Sequence, residues 1–334
     1  MTILVTGGAG FIGSHIADAL MQAQYQVVVL DDLSGGFANN VVDGITFVQG
    51  SILDKALIEN LFETHKFEYV FHLAAYAAEN LSHFIRHYNY EVNVLGSINL
   101  INASVNHGVK CFVFTSSAGV YGKNELPFCE SAVPRPYDPY GIAKWSVEQD
   151  LMAAQSLFGL PYVVFRPHNV FGERQNIGDK YRNVVGIFMN QVLLGKPLTI
   201  FGDGTQTRPF TYIHDIVPTI ISAIERPEAH NQVFNIGSDR EVTLNELAQH
   251  IADVVGVEPQ ITYLDARHEV KHVNSSHDKL RQFLPVPDET PLRDALANMF
   301  AWVQTHGSRT SADFDPIEIM QKLPPSWRPK QTNA

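Results

Sequence analysis

Four glycines set the frame of this chain. Gly7, Gly8, Gly10 and Gly13 follow the apolar run 2–6 (TILVT) and open an apolar-periodic stretch from Phe11 to Leu20. The order reads as strand, tight turn, helix. The spacing satisfies G-x-x-G-x-x-G and, counted from Gly8, G-x-G-x-x-G. In that context glycines permit the sharp turn and let backbone amides approach a diphosphate at the positive end of the helix. A second apolar run, 26–30 (QVVVL), ends in Asp31-Asp32. A carboxylate there accepts hydrogen bonds from both ribose hydroxyls and repels a 2′-phosphate. No Arg or Lys lies between Asp31 and Asn40 to receive that phosphate, so NAD is favoured over NADP.

The rhythm repeats. Strand-like runs stand at 45–48, 68–73, 111–115 and 162–166, and helix-like stretches at about 54–65, 88–107 and 140–157. Such alternation predicts parallel strands joined by right-handed crossovers, an α/β fold with a doubly wound Rossmann sheet. After Arg166 the pattern breaks. Residues 167–182 are rich in Pro, Asn, Gly and charge, a helix is expected at about 184–194, and 199–215 mixes strand signals with a glycine turn. We expect residues 1–166 to form the dinucleotide domain, with 211–236 returning to it. Residues 167–210 and 237–334 then make a smaller substrate-binding lobe and tail. From about residue 306, Pro316, Pro324, Pro325 and Pro329 predict irregular or partly mobile chain.

Composition removes several classes. Apolar residues at 45% and charged ones at 18% describe a packed globular chain. A net charge of -11 argues against a nucleic-acid partner. No apolar run reaches the roughly 20 residues that span a bilayer, and the N-terminus has no signal-peptide pattern. Cys111 and Cys129 match no metal or redox spacing, so free thiols in a reducing, cytoplasmic setting are expected, without a metal.

Residues 138–144 (DPYGIAK) carry the chemistry. Asp138 suits an N-cap and Pro139 the first helical position, which places Tyr140 and Lys144 four apart on one face. A free tyrosine, with a pKa of about 10, is a poor base at neutral pH. A neighbouring ammonium and a nicotinamide cation favour the phenolate; lowering the pKa to ~7–8 corresponds to roughly 3–4 kcal/mol of differential stabilisation. The pair follows a strand ending in Thr115-Ser116-Ser117, and the carboxyl edge of such a sheet is where ligands bind.

Together these residues resemble the extended short-chain dehydrogenase/reductase superfamily, and within it the NAD-dependent nucleotide-sugar epimerases and dehydratases, closest to the UDP-glucose 4-epimerase type. TGGAGFIG at 6–13, HLAA at 72–75, TSSAGVYG at 115–122, YGIAK at 140–144 and QTRPFTYIHD at 206–215 match in order. By position, the resemblance makes Ser117 the catalytic hydroxyl, Tyr140 the base and Lys144 its partner. It assigns Gly7, Gly10, Phe11, Ile12, Gly13, Asp31, Asp32, Ser51, Ile52, Leu73, Ala74, Ala75, Asn93 and Thr115 to the cofactor. Pro167 and His168 join them, replacing an aromatic pair common in UDP-galactose epimerases. Asn169, Asn183, Val184, Arg208 and Arg267 are assigned to the nucleotide-sugar substrate. Ser51 stands where the family usually has Asp. The resemblance also implies a homodimer packed through 88–107 and 140–157.

The reaction is read from two missing acids. Sugar 4,6-dehydratases place an acid pair where this chain has Ala118 and Gly119, and glucuronate decarboxylases a Glu at the position of Gly119. What remains is oxidation at C4, turnover of the keto sugar and hydride return: 4-epimerisation of a UDP-hexose or UDP-N-acetylhexosamine. Arg174-Gln175 is followed by Asn176, where glucuronate epimerases have another arginine, though Lys180 and Arg182 could compensate. Val273 aligns with the residue that gates N-acetylated sugars, and Glu79 is a candidate further acid or base, or a solvated carboxylate. Alternatives are a glucuronate epimerase or decarboxylase, a dehydratase, a 4-ketoreductase and a silent nucleotide-sugar-binding protein.

Overall fold

The computed structural model describes residues 1–179, 181–266, 271–307 and 314–328. The first half alternates strand and helix: β1 (Thr2–Thr6), α1 (Phe11–Gln22), β2 (Gln26–Asp31), β3 (Thr46–Gln49), α2 (Lys55–His65), β4 (Tyr69–His72), α3 (Arg86–Tyr90), α4 (Gly96–Asn106), β5 (Cys111–Thr115), α5 (Pro139–Phe158) and β6 (Tyr162–Pro167). In the second half come β7 (Val170–Phe171), α6 (Val184–Leu193), β8 (Leu198–Phe201), β9 (Thr207–Pro209), β10 (Thr211–Tyr212), α7 (Ile213–Ser222), β11 (Gln232–Ile236), β12 (Glu241–Thr243), α8 (Leu244–Val255), β13 (Ile261–Leu264), α9 (Asp278–Phe283) and α10 (Leu292–His306).

Seven strands form one parallel sheet in the order β11-β6-β5-β4-β1-β2-β3, so the strand order reverses beside β1. Both faces are covered, which is why the strands read as unbroken apolar runs: Ile3, Leu4 and Val5 are all fully buried. One face joins α1, α7 and the C-terminal helices in a single apolar cluster; the other is built from α2, α4 and α5. The doubly wound sheet predicted from the alternation is the observed fold.

One local difference from the expected elements has a physical cause. The stretch 88–107 is not one α-helix: α3 passes into a π-helical turn at Glu91–Leu95 before α4 resumes. A π-turn rotates the helix by an extra residue, which no hydrophobic period announces. Strand β11 is interrupted in its apolar pattern by Asn235, whose buried amide accepts from Tyr121 Oη at 2.7 Å and donates to Phe128 O at 3.0 Å. Near the C-terminus, residues 314–328 are packed against the chain after β4.

Candidate active site

The glycine turn joins β1 to α1 as its spacing predicts. Gly7 has φ +71°, and a Cβ on it would lie 2.6 Å from Ala74 N; one on Gly13 would lie 2.1 Å from Gly7 O. The turn, the loop after β4 and the first turn of α1 therefore approach one another backbone to backbone. Gly10 caps α1 without a side-chain bond, and no acidic residue stands in its first turn. The helix consequently presents its positive end uncontested, a setting suited to a diphosphate. Asp31 closes β2, where Oδ2 accepts from Ala9 N at 3.0 Å and Oδ1 from Leu33 N at 2.8 Å. Burial pushes its pKa up, and those two amides oppose the shift. A carboxylate has about four acceptor sites, so capacity remains for a ribose diol. Asp32 accepts from Ser34 N at 2.9 Å.

A cleft of about 830 Å³ runs from this turn along the carboxyl ends of β1, β4, β5 and β6. Gly7, Gly10, Phe11, Ile12, Gly13, Asp31, Asp32, Ile52, Leu73, Ala74, Ala75, Thr115, Pro167 and His168 line it. So do Ser117, Tyr140, Lys144, Asn169, Asn183, Val184, Arg208 and Val273. The donor set fits a dinucleotide: glycines where phosphates need close backbone, a buried acid at the end of β2 suited to a ribose diol, and no Arg or Lys in residues 32–40.

Ser117, Tyr140 and Lys144 converge at the sheet edge. Asp138 Oδ1 accepts from Gly141 N at 2.8 Å and Pro139 starts the helix, as the sequence predicts. A Cβ on Gly141 would lie 2.8 Å from Gly119 O, so this glycine seats α5 against the turn that carries Ser117. Ser117 Oγ accepts from Gly119 N at 3.0 Å. Lys144 Nζ donates to Thr115 O at 2.8 Å and stands 5.9 Å from the centre of the Tyr140 ring. Burial brings its pKa down to about 7, against the opposing pull of Glu148. The phenol differs from the sequence expectation: burial pushes Tyr140 above the ordinary tyrosine value, and its hydrogen bond with Ser117 is the first influence pulling it back. The ammonium is engaged by the Thr115 carbonyl, and burial is the dominant influence on the phenol.

Several assigned residues are engaged by the protein's own groups. Asn93 is buried behind the cleft wall, where its Oδ1 accepts from Tyr76 N at 2.8 Å and its Nδ2 donates to Tyr76 O at 3.2 Å and Asn89 Oδ1 at 2.9 Å. A side chain so engaged positions the loop after β4. Ser51 Oγ accepts from Leu53 N at 3.2 Å, and its neighbour Ile52 is the one at the cleft. Asn183 Oδ1 caps α6 by accepting from Val185 N at 3.1 Å, while its amide donates to Val170 O. Arg208 Nη1 donates to Thr207 O at 2.7 Å and Lys271 O at 3.0 Å. His168 Nε2 lies 3.2 Å from His277 Nε2. Arg267 and Lys180 lie outside the described residues. Tyr137 Oη donates to Glu79 Oε1 at 3.2 Å, both at the cleft.

Sequence reasoning missed two buried networks. In the first, Glu148 accepts from Ser116 Oγ and takes the Arg166 fork, Nε at 3.0 Å and Nη2 at 2.5 Å. Its position one turn after Lys144 was the available signal. In the second, Ser97 Oγ donates to Asn93 O at 2.8 Å and so accepts from His72 Nε2, also at 2.8 Å. Nδ1 of His72 then takes the Thr6 hydroxyl at 2.7 Å, and Thr6 Oγ1 accepts from Ala74 N at 3.3 Å. Burial, with a smaller contribution from Lys144, brings His72 down to about 3, so it serves as a neutral strut.

A Rossmann sheet with a serine-tyrosine-lysine set beside a dinucleotide cleft defines a short-chain dehydrogenase/reductase-type enzyme. The NAD dependent epimerase/dehydratase family matches residues 3–237, and the chain belongs to that family. It is 34% identical over 308 residues to a putative UDP-glucose 4-epimerase of Methanocaldococcus jannaschii, covering 91% of this chain and 99% of that protein. Among solved structures, UDP-glucose 4-epimerase of Thermotoga maritima with UDP-glucose superposes with a TM-score of 0.88 at 37% identity, covering 92% of this chain and 99% of that one. UDP-N-acetylglucosamine 4-epimerase of Methanobrevibacter ruminantium M1 gives a TM-score of 0.86 at 33% identity, covering 92% and 99%.

Proposed function

We propose that this chain catalyses NAD-dependent 4-epimerisation of a UDP-hexose or UDP-N-acetylhexosamine. The observation that carries the reading is the pairing of Ser117, Tyr140 and Lys144 at one cleft edge with Ala118 and Gly119 beside them. Ser117 and Tyr140 present hydroxyls to the sugar, and Tyr140 takes and returns the proton of the reacting hydroxyl. Lys144, charged below a pKa of about 7, fixes the end of β5 and adds positive charge near the phenol. The dinucleotide, when bound between the glycine turn and Thr115, supplies reversible hydride acceptance at C4. Ala118 and Gly119 offer no acid or base for elimination or decarboxylation, so the keto sugar is left to rotate and be reduced on its other face. Relatives named for UDP-glucose and UDP-N-acetylglucosamine support the substrate class, and Val273, the position that the resemblance makes the gate for N-acetylated sugars, lines the cleft.

A homodimer is part of this reading. Leu95 after α3 and Ile142, Met152, Leu157 and Phe158 on α5 are exposed apolar side chains, Leu157 at 75%, along the two segments expected to pair. No described helix is long and apolar enough to cross a membrane, and both cysteines are free; these features support a cytoplasmic enzyme.

Purified protein incubated with UDP-glucose or UDP-N-acetylglucosamine should yield the C4 epimer by NMR, and Tyr140→Phe should abolish it. Accumulation of a 4-keto-6-deoxy sugar, release of carbon dioxide from UDP-glucuronate, or stoichiometric consumption of NADH would each replace the proposal with another reaction.

A further inference from the structure

The family match ends at residue 237, and the two solved epimerases are covered to 99% while this chain is covered to 92%. Residues 314–328 nevertheless bear directly on the cleft. Phe314 places its ring 5.0 Å from those of Tyr76 and Tyr88. Trp327 meets Tyr181 edge-on at 5.3 Å and Phe84 at 6.1 Å. Between them, the Glu318 carboxylate accepts from His87 N at 2.8 Å and Tyr88 N at 2.9 Å, and Glu318 N and Ile319 N donate to Phe84 O. Leu323 and Trp327 are buried at 2% and 5% exposure. Tyr76, Tyr88, Tyr181 and Trp327 all line the cleft.

The aromatic cluster grips both sides of the cleft mouth. On one side the Tyr88 hydroxyl meets Ser34, near Asp32, on the loop that follows β2. On the other, Tyr181 adjoins Arg182, whose guanidinium lies 5.2 Å over the Tyr76 ring and is held by Asp179 Oδ2 at 2.6 Å. A methyl group added at Gly35 would come within 3.3 Å of Arg182 Nη2. One added at Gly36, the next residue, would come within 2.6 Å of Ala9 O in the glycine turn. Arg182 therefore reaches from the loop before α6 across to the loop that follows β2, and that loop packs on the glycine turn whose amides suit a diphosphate.

We infer that the C-terminal segment 314–328 is a wall of the ligand cleft, and that it holds Arg182 across the mouth as a cation for a bound diphosphate. A guanidinium fixed by a carboxylate and an aromatic face is preorganised, so little freedom is lost when a phosphate arrives. Both the dinucleotide and the nucleotide-sugar carry a diphosphate; the neighbourhood of Gly35, Gly36 and Ala9 assigns Arg182 to the dinucleotide. The inference rests on the NAD reading given above.

The test uses the full chain loaded with NAD, in wild-type form and as Arg182→Ala, Arg182→Lys, Phe314→Leu and Trp327→Leu. Release of NAD is followed by exchange against NADH fluorescence, UDP affinity by calorimetry and folding by thermal unfolding. The expected result is NAD release accelerated about tenfold in Arg182→Ala, less in Arg182→Lys, and severalfold in both aromatic variants, with UDP affinity within about twofold. Unchanged release in folded Arg182→Ala and Trp327→Leu overturns the inference. Weakened UDP binding with unchanged NAD release overturns the assignment to the dinucleotide and gives Arg182 to the substrate. A wild-type chain that holds no NAD overturns instead the underlying cofactor reading, so the two failures are distinct.

Discussion

Lys144 follows Tyr140 by one turn of α5, yet its ammonium donates to the Thr115 carbonyl at 2.8 Å and stays 5.9 Å from the centre of the phenol ring. The lysine thus ties the catalytic helix to the end of β5. Behind it Glu148, 1% exposed, faces the same buried space. Whether the lysine is charged at a given pH depends on that carboxylate.

The first prediction tests this dependence. Burial depresses Lys144 to about 7 and Glu148 raises it, so Glu148→Gln should lower the value further. The ammonium is then lost at lower pH, and the alkaline side of the kcat/KM profile should move toward acid by about one pH unit, with roughly tenfold loss at pH ~8. A uniform fall in rate with the profile unmoved would reduce Glu148 to a scaffold residue.

The sheet, the glycine turn, Asp31 and the Asp138-Pro139 cap were legible because each depends on local chemistry: period, φ preference, or a side chain bonding its own backbone. Placement of Ser117, Tyr140 and Lys144 at one edge followed from the position of motifs relative to strands. What stayed hidden depends on distant partners. Arg166 closes an apolar strand and reads as its end, and only the fold brings Glu148 to it. Asn93 is assigned to the cofactor side by the resemblance alone, and only the fold shows that its amide, in the π-turn, joins the Tyr76 backbone. The tail, rich in proline, reads as loose chain because its aromatic partners lie far earlier in the sequence, Tyr76, Phe84 and Tyr88 by more than two hundred residues and Tyr181 by well over one hundred.

The buried pair of Arg166 and Glu148 yields a stability prediction. Both are nearly inaccessible, at 2% and 1% exposure, and Arg166 also lies 4.7 Å over the Tyr121 ring. Arg166→Met should cost about 3–5 kcal/mol, because an unpaired carboxylate is left in apolar surroundings. Adding Glu148→Gln should return a large part of that loss, measured by urea unfolding. Additive losses in the double variant would show that the two side chains are not energetically coupled.

Asp31 should set cofactor choice at a cost in stability. Burial raises its folded pKa above the unfolded value, so the folded form binds more protons over the intervening range and stability declines as pH rises through ~4. Asp31→Asn should therefore gain more stability relative to wild type at pH ~7 than at pH ~4. The same change should weaken NAD about tenfold and narrow its preference over NADP. Fluorescence titration with both reduced cofactors and urea unfolding at both pH values measure the two effects. An undiminished preference for NAD would remove Asp31 from the ribose site.

Asn93 separates positioning from contact. It holds both backbone groups of Tyr76 and passes a hydrogen bond to Asn89, whose Nδ2 donates to Pro139 O at 2.9 Å, the first residue of the catalytic helix. The loop that lines the cofactor side and the residue preceding Tyr140 are thus joined through two buried amides. Asn93→Ala leaves the Tyr76 amide and carbonyl without their partner and should cost about 2–3 kcal/mol of stability. A shift of the helix start of even a fraction of an ångström misplaces Tyr140, so kcat should fall about tenfold while the dissociation constant for NAD stays within about threefold. Asn89→Ala should reproduce the kcat loss, since it cuts the same link one step further from the cleft. A direct cofactor ligand would behave in the opposite way: NAD affinity would drop sharply in Asn93→Ala, and Asn89→Ala would leave kcat untouched.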